Sequence, residues 1–157
     1  SSSDEPYQSY WMYRKNFFLG KQIRYCGWQR DRVQRLFKKD LCKYEDKNVH
    51  AELLCNGKVG TLKNKLFHNT FVDIHHYLEK WDRYSTWSAN DHFKRTPNPG
   101  FYHFGIKPFA RFISSYIINF GFLDGMTGFI LCILESSSVF MRYVKVYQLK
   151  LNKKKDS

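Results

Sequence analysis

The spacing of apolar residues changes once along the chain, near residue 70, and this change limits the folds available to it. Before that point, residues 9–18 (SYWMYRKNFF) and 32–37 (RVQRLF) are rich in aromatic or branched residues and partly alternate, which predicts strands. Residues 58–71 contain two further short strand-like runs. Beyond it, apolar residues recur at helical spacing. Strands followed by helices indicate an α+β pattern or the second half of an α/β domain.

Three helices are predicted in the second part of the chain. The first starts after Thr70, a suitable N-cap with Asp73 three residues later, and ends at the RTPNPG segment of residues 95–100. The second covers residues 105–121 and the third residues 126–150. The apolar face predicted for the first helix comprises Ile74, Tyr77, Leu78, Trp81, Tyr84 and Ser85. The face predicted for the third comprises Phe129, Ile133, Phe140, Tyr143, Val144 and Tyr147.

Charge and cysteine content restrict the partners and the compartment. Lys and Arg total 26 against 14 Asp and Glu, a net charge of +12, which favours anionic partners. The four cysteines form no C-x-x-C pair, which argues against a structural zinc site. Residues 1–10 contain no apolar segment typical of a secretory signal. We therefore expect a reducing, cytoplasmic location and free, buried thiols.

Acidic residues interrupt the longest apolar stretch. Asp124 and Glu135 fall within it, so no segment reaches the roughly 20 apolar residues needed to span a bilayer. The last two predicted helices have aromatic-rich apolar faces and basic flanks, a combination typical of helices that lie on an anionic membrane surface. The alternative is that these faces pack within their own domain.

An ordered set of residues resembles family 2 glycosyltransferases, most closely the subgroup that builds lipopolysaccharide cores. The first group of matches is Arg14, Asn16, Leu19, Gly20, Gly27, Trp28, Asp31, Arg35, Leu36 and Phe37. Next come Val49, His50, Glu52, Leu53, Leu66 and His68, and then Tyr77, Leu78, Lys80, Arg83 and Tyr84. The GFLDG segment followed by Gly128 and Phe129 completes the pattern. Arg30 replaces a usual Pro, and Tyr44 replaces a common Trp.

The resemblance implies a GT-A fold of the α/β class, of which this chain corresponds to the C-terminal, acceptor-side part: a few strands followed by three helices. Residues 1–94 would form a strand-rich acceptor-side half ending in a helix. Residues 101–150 would form amphipathic helices at the membrane surface, and residues 151–157 a basic, solvated and disordered tail. The donor-binding half-sheet with its Asp-x-Asp motif is not within these 157 residues. We therefore expect this chain to be inactive alone.

The resemblance also suggests roles for individual residues. Inverting glycosyl transfer needs a carboxylate base, for which Glu52 is the first candidate and Asp31 the second. The intact enzyme would use a divalent metal, Mg or Mn, and His68 is the candidate metal ligand. We expect this chain alone to bind none. The candidate substrate contacts are Trp28, Arg35 and His50.

All of these residues except His50 also have an alternative interpretation that involves no chemistry. Glu52 is also typical of a surface residue before the turn at Asn56, and Asp31 of a turn residue between arginines. His68 would then be a structural histidine, Arg35 part of a solvated basic strand and Trp28 part of the core. Sequence alone leaves these alternatives open.

The implied function is transfer of a sugar from a nucleotide-sugar donor to a lipopolysaccharide-core or other lipid-linked acceptor. The implied location is cytoplasmic, peripheral at the anionic inner face of the cytoplasmic membrane. The alternative functions are a non-catalytic basic membrane-surface module and a nucleic-acid-binding module. No helix-turn-helix, zinc or RNP signature is present, and the basic residues are spread along the whole chain, so we expect no nucleic-acid partner.

Overall fold

The chain has a mixed α/β fold in which strands precede helices. The computed structural model describes residues 6–45, 52–71 and 73–155. Helix accounts for 55% and strand for 26% of the structure, with small antiparallel sheets and three α-helices. In the described part of the chain, all strands come before the first α-helix, and a short 3-10 turn, Trp28–Arg30, lies among the strands. The predicted mixed fold with strands followed by helices is therefore confirmed.

Two of the predicted strands have the observed bounds, and a third is longer than predicted. The strands are β1 (Ser9–Phe18), β2 (Lys21–Ile23), β3 (Arg32–Phe37), β4 (Cys42–Tyr44), β5 (Leu53–Cys55) and β6 (Val59–Phe71). β1 and β3 match the segments predicted from their alternating residues. The two short runs predicted within residues 58–71 are wrong, because β6 continues without interruption from Val59 to Phe71.

The strands pair in antiparallel fashion. The first part of β1 pairs with β3 from Ser9 opposite Phe37 to Tyr13 opposite Arg32, with a register shift after Tyr10. The last three residues of β1 pair with β2, and β6 also pairs with β1. β4 and β5 form a separate two-stranded sheet.

One cysteine pair departs from the prediction of free thiols. Cys42 and Cys55 lie opposite each other on β4 and β5, with Cα atoms 4.4 Å apart, and form a disulfide. Directly opposed residues of antiparallel strands come this close at positions without ladder hydrogen bonds. The prediction is confirmed for Cys26 and Cys132, which are free and buried. The disulfide removes part of the argument for a reducing compartment.

The helices are α1 (Ile74–Arg95), α2 (Lys107–Ile113) and α3 (Gly125–Lys155). Single π-helical turns flank α2 on both sides, and a 3-10 turn of residues 121–124 precedes α3. The predicted N-cap Thr70 is wrong, because Asp73 occupies that position and accepts the His76 N–H at 2.8 Å. The predicted disordered tail is also wrong as far as Lys155, because α3 continues to that residue.

The chain divides into two compact units. Ser1–Lys15 and Arg30–His68 form one, which we call the strand unit. Asn16–Gln29 and Asn69–Ser157 form the other, which we call the helical unit. Nearly all described apolar residues that are fully buried belong to the helical unit; Cys42 is the exception.

Side chains from the first strand, the Cys26 loop and the helices form the core of the helical unit. One cluster joins Phe18, Ile23, Cys26, Tyr77, Leu131 and Cys132. A second joins Ala89, Tyr143 and Val146.

The predicted apolar faces are wrong in part. Tyr77, Ser85 and Ala89 are the buried residues of α1, whereas Ile74 and Leu78 are exposed. Small side chains at the contact allow two helices to approach closely, and α1 packs along α3 in this way. On α3, Tyr143 is buried as predicted, but the other buried apolar residues are Leu131, Cys132 and Val146.

Candidate functional site

A buried carboxylate holds the loop that carries Trp28. Asp124 is 5% exposed and accepts the backbone N–H of Arg24 at 3.1 Å and that of Tyr25 at 2.8 Å. Lys21 Nζ donates to the Asp124 backbone carbonyl at 3.2 Å. A buried charge is stable only when donors surround it, so this arrangement fixes the loop to the start of α3.

Two glycines of the same segment permit this approach. A Cβ at Gly121 would come within 2.8 Å of the Ser115 carbonyl oxygen and 2.9 Å of Cys132 Sγ. A Cβ at Gly128 would clash with the Gly121 carbonyl oxygen and lie 2.7 Å from Asp124 Cβ. The GFLDG segment and Gly128 therefore have a packing role: they let the chain turn tightly against the loop.

A second carboxylate orients Trp28 itself. Glu135 Oε1 accepts the Trp28 Nε1–H at 2.8 Å, and its Oε2 accepts from Arg111 Nη2 at 2.9 Å and from Ser115 Oγ at 3.0 Å. The Glu135 side chain is largely buried, whereas that of Arg111 is half-exposed. The indole is thereby locked in one orientation, and Arg111 balances the charge of Glu135.

The turn before Trp28 contains a buried thiol. Cys26 and Gly27 both have positive φ, and the Cys26 N–H donates to the Asn119 carbonyl at 3.1 Å. A hydrogen bond with Cys132, together with burial, raises the pKa of the Cys26 thiol. The protonated thiol is a poor nucleophile, so Cys26 is a packing residue.

Trp28 forms part of the wall of a cavity in the helical unit. The cavity has a volume of about 230 Å³ and lies beside α1 and α3. Its aromatic wall comprises Trp28, Phe71, Tyr77, Trp81 and Tyr84. Lys80, Glu135 and Arg142 contribute charged groups to the same cavity. Burial raises the pKa of Tyr77 to about 12, so its hydroxyl stays neutral at physiological pH.

The two candidate bases lie in the strand unit. Asp31 immediately precedes β3; its Oδ2 lies 3.4 Å from Arg14 Nη1, and its backbone carbonyl accepts the Arg14 N–H at 3.0 Å. Glu52 is exposed, and its backbone exchanges hydrogen bonds with Glu45 just before β5. Asp31 is therefore oriented by an arginine, whereas the Glu52 carboxylate faces solvent.

The remaining candidate residues do not join Trp28 in one cluster. Arg35 is exposed on β3 of the strand unit, and His68 is half-buried on β6. His50 lies outside the described residues. Among the described residues, no group of three or more His, Cys, Asp or Glu side chains could hold a metal ion. To hold a metal ion, His68 would therefore need ligands from elsewhere.

Apolar side chains are exposed from the end of the second π-turn to the first residues of α3, and we call this group the apolar tip. Its side chains are Ile117, Ile118, Phe120, Phe122, Leu123 and Met126, of which Ile118 is 66% and Met126 70% exposed. Lys21 and Arg24 line a surface cleft together with Leu123. Several exposed apolar side chains on one short segment are typical of a site that interacts with protein or lipid.

One helical stretch passes a composition test for a membrane span. Gly121–Lys155 has an 18-residue window with a mean hydropathy of 1.3, of which 22% is buried within the protein. By length and composition, the prediction that no segment is apolar enough to span a bilayer is therefore wrong. Core helices of soluble proteins pass the same test, so it carries little weight alone.

Sequence reasoning missed the structural role of Asp124 and Glu135. Both are lone acidic residues within an apolar helical stretch, and this pattern was the available signal, because a charge that is buried there must have a partner.

No protein-family model matches the chain, and no solved structure is detectably similar to it.

Proposed function

We propose that this chain is the acceptor-side part of a family 2 glycosyltransferase of GT-A type. The enzyme would transfer a sugar, with inversion, from a nucleotide-sugar donor to a lipopolysaccharide-core or other lipid-linked acceptor. The support is the ordered set of matching residues between Arg14 and Phe129. The donor-binding half would come from sequence outside these 157 residues.

One observation carries the proposal. The Gly27-Trp28 and GFLDG segments of the resemblance are about 100 residues apart in sequence, yet Asp124 of the second accepts the N–H groups of Arg24 and Tyr25 beside the first. Arg24 and Tyr25 are not matched residues themselves, but they belong to the same loop as Gly27 and Trp28. Two separate parts of the matched set therefore lie together in the fold, and this proximity supports the proposal.

The proposed chemistry uses a carboxylate of the strand unit. Glu52, or Asp31 in its place, would accept the proton of an acceptor hydroxyl. The hydroxyl oxygen would then bond to the anomeric carbon from the face opposite the diphosphate. The bond between that carbon and the diphosphate oxygen would break, so the configuration inverts. Arg35, exposed on β3, is suited to contact the leaving phosphates.

The apolar tip supports action at an anionic membrane surface. Its apolar side chains suit insertion among lipid acyl chains, and Lys21 and Arg24 beside Leu123 suit contact with anionic headgroups. A lipid-linked acceptor would lie at the same interface. We therefore propose peripheral binding, with the acceptor held close to the enzyme by the membrane.

The direct test of this function is a transfer assay with the complete enzyme. Membranes containing the enzyme would be given a panel of labelled nucleotide sugars, and the lipid-linked fraction would be extracted and counted. We expect at least one donor to label that fraction, in proportion to the amount of enzyme. Membranes without the enzyme are the control. Failure of every donor to label lipid-linked material would contradict the proposal.

A further inference from the structure

The aromatic cavity of the helical unit has hydrogen-bond donors that its own walls do not satisfy. Trp81 Nε1 on α1 and Arg142 Nε on α3 are buried, and neither has a hydrogen-bond partner among the described residues. Both residues line the cavity. Buried N–H groups without acceptors are rare in native proteins and require an explanation. Two of them on one cavity point to an acceptor that the described protein does not supply.

The charges around the cavity favour an anion. Glu135 already accepts hydrogen bonds from Trp28, Arg111 and Ser115, and Arg111 balances its charge. Arg142 also brings a cationic side chain to the cavity. An arginine is well suited to a phosphate or carboxylate, so Arg142 favours an anionic ligand.

The shape and lining of the cavity favour a ring over a chain. Five of the twelve lining residues are aromatic, three are serines, and the only aliphatic one is Leu131. Flat aromatic faces suit a sugar ring, which has apolar C–H faces and polar edges. The Ser85 and Ser138 hydroxyls already donate to the Asp82 and Leu134 carbonyls, so towards a ligand they can act as acceptors. The volume of about 230 Å³ lies just below the roughly 300–1,000 Å³ of drug-sized ligand sites, so the ligand is small.

We propose that this cavity binds a monosaccharide that carries an acidic group. The ring packs against the Trp28 and Trp81 side of the wall, and the acidic group contacts Lys80 and Arg142. The Trp81 Nε1–H donates to an oxygen of the ligand. This binding goes beyond the proposed transfer reaction and does not depend on it, since no candidate base lines the cavity.

Direct binding to the purified full chain tests the proposal. The probes are the 6-phosphates of glucose, galactose and mannose, together with glucuronate and galacturonate. The comparison ligands are glucose, inorganic phosphate and octanoate. Trp28 and Trp81 line the cavity, so occupancy should change tryptophan fluorescence, and calorimetry gives the affinity. We expect saturable binding of at least one acidic sugar, at least about tenfold tighter than glucose or phosphate.

Matched variants locate the site. Arg142→Gln should weaken binding about tenfold or more, because a charge-assisted contact is lost. Trp81→Phe keeps an aromatic ring and removes the N–H, so it should weaken binding by about three- to tenfold. Lys154→Gln removes the same charge from the exposed end of the same helix and should leave binding unchanged. Circular dichroism of each variant checks that the helices remain folded.

Each other result would overturn the proposal. Octanoate binding more tightly than every sugar would identify an acyl-chain site. Phosphate binding as tightly as the sugar phosphates would identify a simple anion site. Binding that Lys154→Gln weakens as much as Arg142→Gln would place the ligand on the basic surface. Binding by none of the acidic sugars would show that the cavity is not an acidic-sugar site.

Discussion

The two units use their acidic residues in opposite ways. In the helical unit, Asp124 is buried and accepts backbone N–H groups, and the largely buried Glu135 accepts from an indole, an arginine and a serine. In the strand unit, Asp31 is partly exposed beside Arg14, and Glu52 is exposed. A carboxylate surrounded by donors is suited to hold structure, whereas a general base needs room for a proton and a substrate. Asp124 and Glu135 therefore hold structure, and the more exposed Glu52 and Asp31 are the pair for which we propose chemistry.

The largest expected effect is on turnover in the strand unit. In the complete enzyme, Glu52→Gln keeps size and polarity but removes proton acceptance, so turnover at saturating donor should fall by about 10²–10⁴. Donor affinity should change little. Asp31→Asn is the matched variant. Loss of activity in Asp31→Asn alone would identify Asp31 as the base. Full activity in both variants would show that neither carboxylate is the base.

The next effect is on stability in the helical unit. Asp124→Asn replaces a charged acceptor by an amide whose NH₂ group also has to be buried. We expect the free energy of unfolding to fall by about 2–4 kcal/mol, measured by urea denaturation. Asp91→Asn, an exposed change on α1, should stay within about 0.5 kcal/mol. Equal effects of the two variants would mean that Asp124 does not hold the loop.

A smaller effect is expected on membrane binding, which we assign to the apolar tip of the helical unit and not to the strand unit. The full chain should co-sediment with vesicles containing anionic lipid, less so in high salt, and not with neutral vesicles, because each nearby Lys or Arg contributes about 1 kcal/mol. The double change Ile118→Ser and Met126→Ser on the apolar tip should weaken binding about tenfold. Leu54→Ser changes an exposed leucine of the strand unit; it is the control and should not weaken binding.

Two outcomes of that assay would contradict the membrane proposal. Equal recovery on neutral and anionic vesicles would show that Lys and Arg side chains do not contribute to the binding. Recovery on neither would mean that the apolar tip is covered by protein in the complete enzyme. Removal of residues from Lys150 onward should weaken binding further if the basic end of α3 also contacts the surface.

The sequence predicted elements well where the signal was local. The aromatic and branched residues of β1 and β3, although they only partly alternate, predicted both strands with their observed bounds. The faces of the helices were predicted less well, because residues 129–134 of α3 are all apolar, and periodicity then identifies no unique buried face. Ile74 and Leu78 fit a helical face by spacing, yet α3 packs against the neighbouring face of α1.

The site was less predictable because its contacts are distant in sequence. Asp124 and Arg24 are 100 residues apart, and no local pattern links them. Trp28 was identified through the resemblance, but its hydrogen bond to Glu135 required the fold. The Cys42–Cys55 disulfide was missed for the same reason, since it depends on the register of β4 against β5.

Hydrogen exchange at the Arg24 and Tyr25 amides shows whether the GFLDG segment holds the Trp28 loop through the Asp124 carboxylate. The amides of Arg24 and Tyr25 should therefore exchange far more slowly than those of an unstructured loop, and their protection should disappear in Asp124→Asn while the amides of α3 remain protected. Rapid exchange of both amides in the unmodified protein, or unchanged protection in the variant, would contradict this role of Asp124.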